Sequence, residues 1–188
     1  MPAQQRADAR RNHALILAVA EAEVAAHGAD TSLEQVARAA GVGSATVRRH
    51  FPSRRALLDA VFQERVEALC ERARVLADAP DSRAALLAWL SDLTAYAASA
   101  RGMAATLTYE EAHVSRCTTK LSDAADPLLR RAARDGAVSP GLTIVDLLTL
   151  VTGIALATEH HRDPAAEADR LLALAVAGIS PPASGRDG

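Results

Sequence analysis

The sequence predicts an all-α protein, with a three-helix head at the N-terminus and a larger helical body behind it. Three observations carry this. The composition is 49% hydrophobic yet only 3% aromatic, so the core must come from Ala, Leu and Val; Ala and Leu favour helix, and the β-branched residues are a minority. No run alternates Val, Ile, Tyr or Thr with polar residues as a half-buried strand does. Apolar residues recur instead at spacings of three and four between glycine and proline punctuation. At 188 residues the chain can hold one mid-sized domain, or a small head fused to a larger body.

The polar start MPAQQRADARR lacks the apolar stretch of a signal peptide and is expected to fray up to about Asp8. A first helix is expected from about Arg10 to His27, with Leu15, Ala18, Val19, Ala22 and Ala26 on one face and Gly28 as its C-terminal stop. Thr31 or Ser32 caps the second helix, because Thr31-x-x-Glu34 and Ser32-x-x-Gln35 both have capping-box spacing. It ends near Ala40, at Gly41. The third covers about Ser44 to His50 and stops at Phe51-Pro52, since a residue before proline is pushed out of helical geometry. Ser53 caps the fourth, about Arg54 to Leu76, whose stripe is Leu58, Val61, Phe62, Val66 and Leu69.

Ala79-Pro80-Asp81 is the clearest boundary in the chain. Beyond it helices are expected at roughly 83–99, 101–108, 109–116 and 118–135, then, after Asp135-Gly136 and Ser139-Pro140-Gly141, at about 143–160 and 164–179. The first of the last two is apolar around much of its circumference through Leu147, Leu148, Leu150, Val151 and Ile154; the second is so through Leu171, Leu172, Leu174, Val176 and Ile179. Such helices need partners on more than one side, and in a chain this short a second subunit is the natural one. Leu147, Leu150, Val151, Ile154, Leu171, Leu174 and Ala175 are therefore the candidate dimer interface. The tail 181–188, PPASGRDG, has a disordered composition. The expected division is a head at 1–53, a connecting helix at 54–76 and a body at 77–180.

Net charge is −2, which argues against a generally basic coat, but the charge is uneven. Residues 1–55 hold eight Arg and five Asp/Glu, a net +3; residues 56–188 hold 13 Lys/Arg and 18 Asp/Glu, a net −5. That asymmetry fits a nucleic-acid-binding head on a body that is not one. Cys70 and Cys117 form neither a CxxC pair nor a disulfide framework, so a reducing cytoplasm is the expected location. No segment reaches about 18 uninterrupted apolar residues, so no membrane span is expected.

The stretch Leu33 to Val47 has helix-turn-helix logic. Ala37 is small where two helices cross closely, Gly41 supplies a turn open to positive φ, and Val47 points inward to lock the crossing. The outer face of the short third helix then carries Ser44, Ala45, Thr46, Arg48 and Arg49, short or cationic residues suited to a major groove. Arginine can bind guanine O6 and N7 with two hydrogen bonds, or clamp a phosphate.

Residues 31–62, TSLEQVARAAGVGSATVRRHFPSRRALLDAVF, resemble the DNA-binding signature of TetR-family transcriptional regulators, through Ala40-Gly41-Val42, Thr46, His50-Phe51, Pro52-Ser53 and Leu57-Leu58. The segment from about Trp89 to Leu107, with Asp146-Leu147-Leu148, looks like an actinobacterial subgroup of these regulators. Three departures stand out. Gly43 replaces the usual serine cap, which shifts capping of the recognition helix to Ser44 or water. Arg48 replaces an aromatic that commonly contacts the DNA backbone, and Arg55 replaces an acidic residue. Both arginines add positive charge at the presumed DNA face, and the Arg48 change leads us to expect a more salt-sensitive grip on DNA. Arg54 falls at the family's phosphate-binding lysine. The expected DNA-facing set is Thr31, Ser44, Ala45, Thr46, Arg48, Arg49, His50 and Arg54; Arg10 and Arg11 are further candidates for phosphate or the minor groove.

The resemblance implies a ligand-responsive repressor that binds a palindromic operator as a homodimer, is not an enzyme, and is released by a small-molecule effector. It also implies an effector cavity, for which the large and polar-tipped side chains of the Ala/Leu-rich body are candidates: Trp89, Tyr96, Met103, Thr106, Tyr109, His113 and Cys117, together with Val151. No cofactor or metal is expected. The alternative is a helical metal-binding protein or enzyme using Glu110, His113, His160 and His161. Glu110-x-x-His113 has the spacing of one half of a di-iron site, but only one such motif is present. Adjacent histidines on a helix diverge by about 100° and share a metal poorly.

Overall fold

The computed structural model describes residues 2–99 and 111–179. Among them no strand occurs. The helices are α1 (Pro2–His27), α2 (Leu33–Ala39), α3 (Ser44–His50), α4 (Arg54–Ala77), α5 (Ser82–Ser99), α6 (Glu111–Arg134), α7 (Ile144–Thr158) and α8 (Pro164–Ile179), with a 3-10 turn at Gly28–Asp30. They form two compact units, one ending at Arg65 within α4 and one starting at Val66.

The first unit closes around Ile16, Leu17, Ala20 and Val24 of α1, Leu33, Val36 and Ala37 of α2, Val47 of α3, Phe51, and Leu57, Leu58 and Val61 of α4. The head therefore takes the first half of the connecting helix into its own core and does not stop at residue 53. The face of α1 that is buried also differs from the expected one. Leu15 is 47% exposed, Ala18, Ala22 and Ala26 are exposed, and Val19 is half-buried. Apolar residues stand on every side of this Ala-rich helix, so periodicity alone does not separate the two rows. The row that carries branched volume, Ile16-Ala20-Val24, is the one inside. α1 also begins at Pro2 rather than near Arg10. Proline is at ease in a first helical turn, where its missing N–H has no partner to lose, and Ala, Gln and Arg extend a helix well.

In the second unit α5 packs against α6, α7 and α8, and α7 packs against both α6 and α8. Trp89, Leu86 and Leu90 of α5, Leu128 of α6 and Leu147 of α7 are fully buried there. The expected break between 116 and 118 is absent, and α6 runs unbroken from Glu111 to Arg134. Cys117-Thr118 contains no helix breaker, and Pro127 is accommodated on the exposed side of the helix, where a backbone group it leaves unbonded meets water. Arg131 donates to the carbonyls of Ala77 (2.6 Å) and Pro80 (3.3 Å), and Ser82 donates to Asp135 at 2.6 Å. These bonds fix the Ala79-Pro80-Asp81 turn to the end of α6. A Thr143–Asp146 capping box starts α7, and Asp163 accepts the Ala166 N–H to start α8. The expected helix at 101–108 and the tail at 181–188 lie outside the described residues. No described helix is long and apolar enough to cross a membrane.

Candidate nucleic-acid interface

The start of α2 shows which of two overlapping capping boxes forms. Ser32 Oγ accepts from the Gln35 N–H at 3.1 Å, and the Gln35 side chain accepts from the Ser32 N–H at 2.8 Å. Thr31 is instead completely buried, and its hydroxyl donates toward the carbonyls of Glu23 (3.1 Å) and Gly28 (3.0 Å). This corrects the expectation that Thr31 faces DNA: its side chain joins the end of α1 to the start of α2. At the other end of α2, Gly41 sits at φ +65°, Val42 N–H bonds Ala37 O at 3.0 Å and Gly41 N–H bonds Arg38 O at 3.2 Å. This is a Schellman closure, and it requires a residue that tolerates positive φ.

Gly43 starts α3 with an extended backbone and no side-chain cap; Ser44 does not take over that role. The Gly43 carbonyl accepts from the N–H groups of Thr46 (2.8 Å) and Val47 (3.2 Å). Val47 is fully buried, which fixes the roll of the helix. At about 100° per residue, Ala45 and Arg49 lie within about 20° of the direction opposite Val47. They form the outermost edge. Arg48 falls on one flank with Ser44, and Thr46 falls on the other. Ser44, Ala45, Arg48 and Arg49 are exposed and Thr46 is half-buried.

Arg48 is ion-paired with Glu34 in the first turn of α2. The backbone N–H at this free helix start and then the Arg48 guanidinium hold the Glu34 carboxyl below the usual carboxylate range. The charge that Arg48 adds to the face is thus offset by a carboxylate beside it, a pairing that composition alone does not reveal. Arg54 lies 3.7 Å from a fully exposed Asp30, and Arg11 pairs with Asp8. Arg49 and Arg55 are exposed and make no ion pair among the described residues.

His50 is half-buried, and its Nε2 is enclosed without a hydrogen-bond partner. The His13 ring meets it edge-on at 5.6 Å and stacks on Phe51 at 4.9 Å. Burial, followed by the neighbouring His13 and Arg49 charges, pushes the His50 imidazole below its ordinary range. With that nitrogen enclosed and its ring against His13 and Phe51, His50 serves in packing.

In the body, Trp89 is wholly buried and donates its indole N–H to Leu69 O at 3.0 Å, so it belongs to the core. Tyr96 is half-buried, and Cys117 and Val151 are buried. Met103, Thr106, Tyr109 and Glu110 lie outside the described residues, as does the side chain of His113. Cys70 and Cys117 are both buried free thiols; Cys70 donates to Lys120 O at 3.6 Å, and burial, then the Glu67 carboxylate, raises it above the usual thiol range. His160 and His161 are exposed in the α7–α8 turn, and among the described residues no three metal-capable side chains gather.

The expected interface set divides. Leu147, Val151 and Ile154 are buried in the chain's own core, which corrects their assignment to a subunit contact. Leu150, Leu171 and Ala175 are half-buried, and Leu174 is 59% exposed. The outer face of α7 is a different row: Val145 (55% exposed), Thr149, Thr152 and Leu156 (64% exposed), at spacings of four, three and four. Thr149 and Thr152 donate their hydroxyls to the carbonyls of Val145 and Leu148, each at 2.8 Å. The row thereby becomes more apolar than its sequence suggests.

Two family models match the chain: bacterial regulatory proteins of the tetR family over residues 16–61, and the C-terminal domain of SbtR-like transcriptional regulators over residues 81–181. No individually curated protein matches it. Among solved structures, a TetR transcriptional regulator from Streptomyces coelicolor is 33% identical, with 91% of this chain and 99% of that one covered, at a TM-score of 0.73. A TetR regulatory protein from Mycobacterium vanbaalenii is 29% identical, with 94% and 99% covered and a TM-score of 0.71. A TetR-family regulator from Agrobacterium tumefaciens, 22% identical with a TM-score of 0.64, shares the fold.

Proposed function

Because the chain belongs to the TetR family of bacterial regulatory proteins, we propose that it is a ligand-responsive repressor that grips a palindromic operator as a homodimer and releases it when a small molecule occupies the body. Membership of a family of regulators implies a binding protein rather than an enzyme. The observation that carries the reading is the roll of α3. Burial of Val47 turns Ala45 and Arg49 outward, with Ser44 and Thr46 on the flanks and Arg54 at the start of the next helix. A short side chain beside an exposed guanidinium, without an ion pair among the described residues, suits the bottom of a major groove, where arginine reads guanine, while Thr46 and Arg54 suit the phosphates that set register.

The apolar row on α7 and the exposed Leu174 on α8 support a second copy of the chain as partner. A two-fold dimer presents two recognition helices to half-sites about one helical turn, roughly 34 Å, apart. An effector releases DNA only if it binds more tightly to a state whose heads are spaced wrongly for those half-sites. Tyr96, Cys117 and Val151 are the described residues proposed near the effector, with Met103, Thr106, Tyr109 and His113 as the further candidates.

Selection of bound duplexes from random fragments should return a near-palindrome, and a compound screen against that duplex should return a releasing ligand. Arg49→Ala should weaken binding by about 1–3 kcal/mol and relax the preference at one base pair per half-site. An Arg49→Ala protein with unaltered affinity and preference would place the reading face elsewhere.

A further inference from the structure

The ion pair between Glu34 and Arg48 sits on the α2 flank of the recognition helix, where a carboxylate is out of place. A carboxylate there repels phosphate, and it occupies a guanidinium that would otherwise clamp one. Both side chains are exposed, so the pair is not needed to satisfy a buried charge. Glu34 is also not part of the α2 cap, which Ser32 and Gln35 complete between them. Its carboxyl is held below the usual range, so the pair stays charged at neutral pH.

The geometry of a guanidinium gives such a pair a use. Arginine offers five donors in a planar fork, and Glu34 engages Nη2. Donors that Glu34 leaves free can still meet a flat acceptor pair. A neighbouring carboxylate also removes rotamer freedom from a long side chain before DNA arrives, lowering the ordering cost of contact. Its negative charge opposes the competing phosphate contact. A carboxylate so placed would turn Arg48 from a phosphate clamp into a preset base reader, and guanine, with O6 and N7 side by side in the major groove, is the acceptor that would fit.

We propose that Glu34 is a specificity-determining residue of the DNA interface: it holds Arg48 on the α2 flank of α3 for a guanine edge and withholds it from phosphate. The assignment rests on the DNA-binding reading above. It adds that Arg48 contributes to discrimination and little to the salt dependence of binding, whereas its position in the family signature is that of a backbone contact.

Four proteins test this: the wild type, Glu34→Gln, Arg48→Ala and the double variant. Each is titrated by fluorescence anisotropy against the duplex selected by the wild type and against a scrambled duplex, over a series of salt concentrations. Glu34→Gln should bind the scrambled duplex more tightly, with log K falling more steeply in log salt by about 0.9, the slope of one added phosphate contact. Its ratio of selected to scrambled affinity should fall roughly tenfold, within the range of one bidentate base contact. Arg48→Ala should lower the ratio by a similar factor, and the double variant should fall no further, because both changes remove one interaction. An undiminished ratio in Glu34→Gln, or independent losses that multiply in the double variant, would overturn the assignment alone. A wild type that shows no preference for any duplex would overturn the DNA-binding reading and this assignment with it.

Discussion

In the proposed homodimer, Leu156→Ala should loosen self-association and leave the fold intact. The substitution removes three carbons, about 2.4 kcal/mol at full burial on a scale of about 0.8 kcal/mol per CH2. Only the surface still open in the single chain can be gained on association, and at 64% exposure that scales the loss to about 1.5 kcal/mol per copy. A two-fold interface uses the same patch on both subunits, so the dimer loses about 3 kcal/mol, equivalent to a rise in Kd of about 150-fold. Sedimentation velocity across a dilution series reads this directly. Leu147→Ala is the matched contrast. Leu147 is 1% exposed inside its own chain, so truncating it should cost about 2–5 kcal/mol of folding stability and appear in the unfolding midpoint. If Leu156→Ala dimerises as tightly as the wild type while Leu147→Ala dissociates at unchanged stability, the two faces of α7 have been assigned the wrong way round.

Thr31→Val should cost about 1–3 kcal/mol of head stability, because the carbonyls of Glu23 and Gly28 lose a buried donor, and should leave DNA affinity unchanged for folded protein; urea unfolding and anisotropy on one sample separate the two effects. For His50, burial and nearby positive charge disfavour protonation in the folded head, so the unfolded chain binds more protons below its pKa of about 6.5. Stability should therefore fall as pH drops from about 6.5 toward the depressed folded value, and then level off as far as this group is concerned. Urea midpoints measured against pH should lose that slope in His50→Gln, and an identical slope in both proteins would assign the titration to another group.

Local rules with one outcome were legible in the sequence, and rules with two were not. Gly41 could be read because only a positive φ closes α2 in the observed way, and α3 ended where Phe51-Pro52 requires. Thr31 and Ser32 offered equivalent spacing, and only the three-dimensional path of α1 decides that Thr31 turns toward Glu23. The same ambiguity governs α1 and α7. Both helices are apolar on more than one side, so the pattern says that each is enclosed but not which side its own chain encloses. On α1 the branched row won; on α7 the core took Leu147, Val151 and Ile154 and left a row that includes two threonines. Threonine reads as polar until its hydroxyl is seen to be spent on the helix's own carbonyls.

Charge shows the same limit in the head. The N-terminal excess of arginine was visible, but an arginine's value to DNA depends on what already holds it. Exposed pairs contribute only about 0–1 kcal/mol, so most can be surrendered to a phosphate at little cost. Arg54, 3.7 Å from an Asp30 that is itself fully exposed, is held loosely enough to do so. Among the described residues, Arg49 and Arg55 have no ion pair to surrender. Arg48 differs because its partner stands on the capped first turn of α2, beside the proposed reading face, and so stays near it after contact is made. Salt dependence should therefore follow Arg54 and Arg55, while Arg48 should join Arg49 in acting on which sequence is bound. The two arginines that looked interchangeable in the sequence thus reach the groove differently, Arg49 from the outer edge of α3 and Arg48 from a flank held by a glutamate fourteen residues upstream.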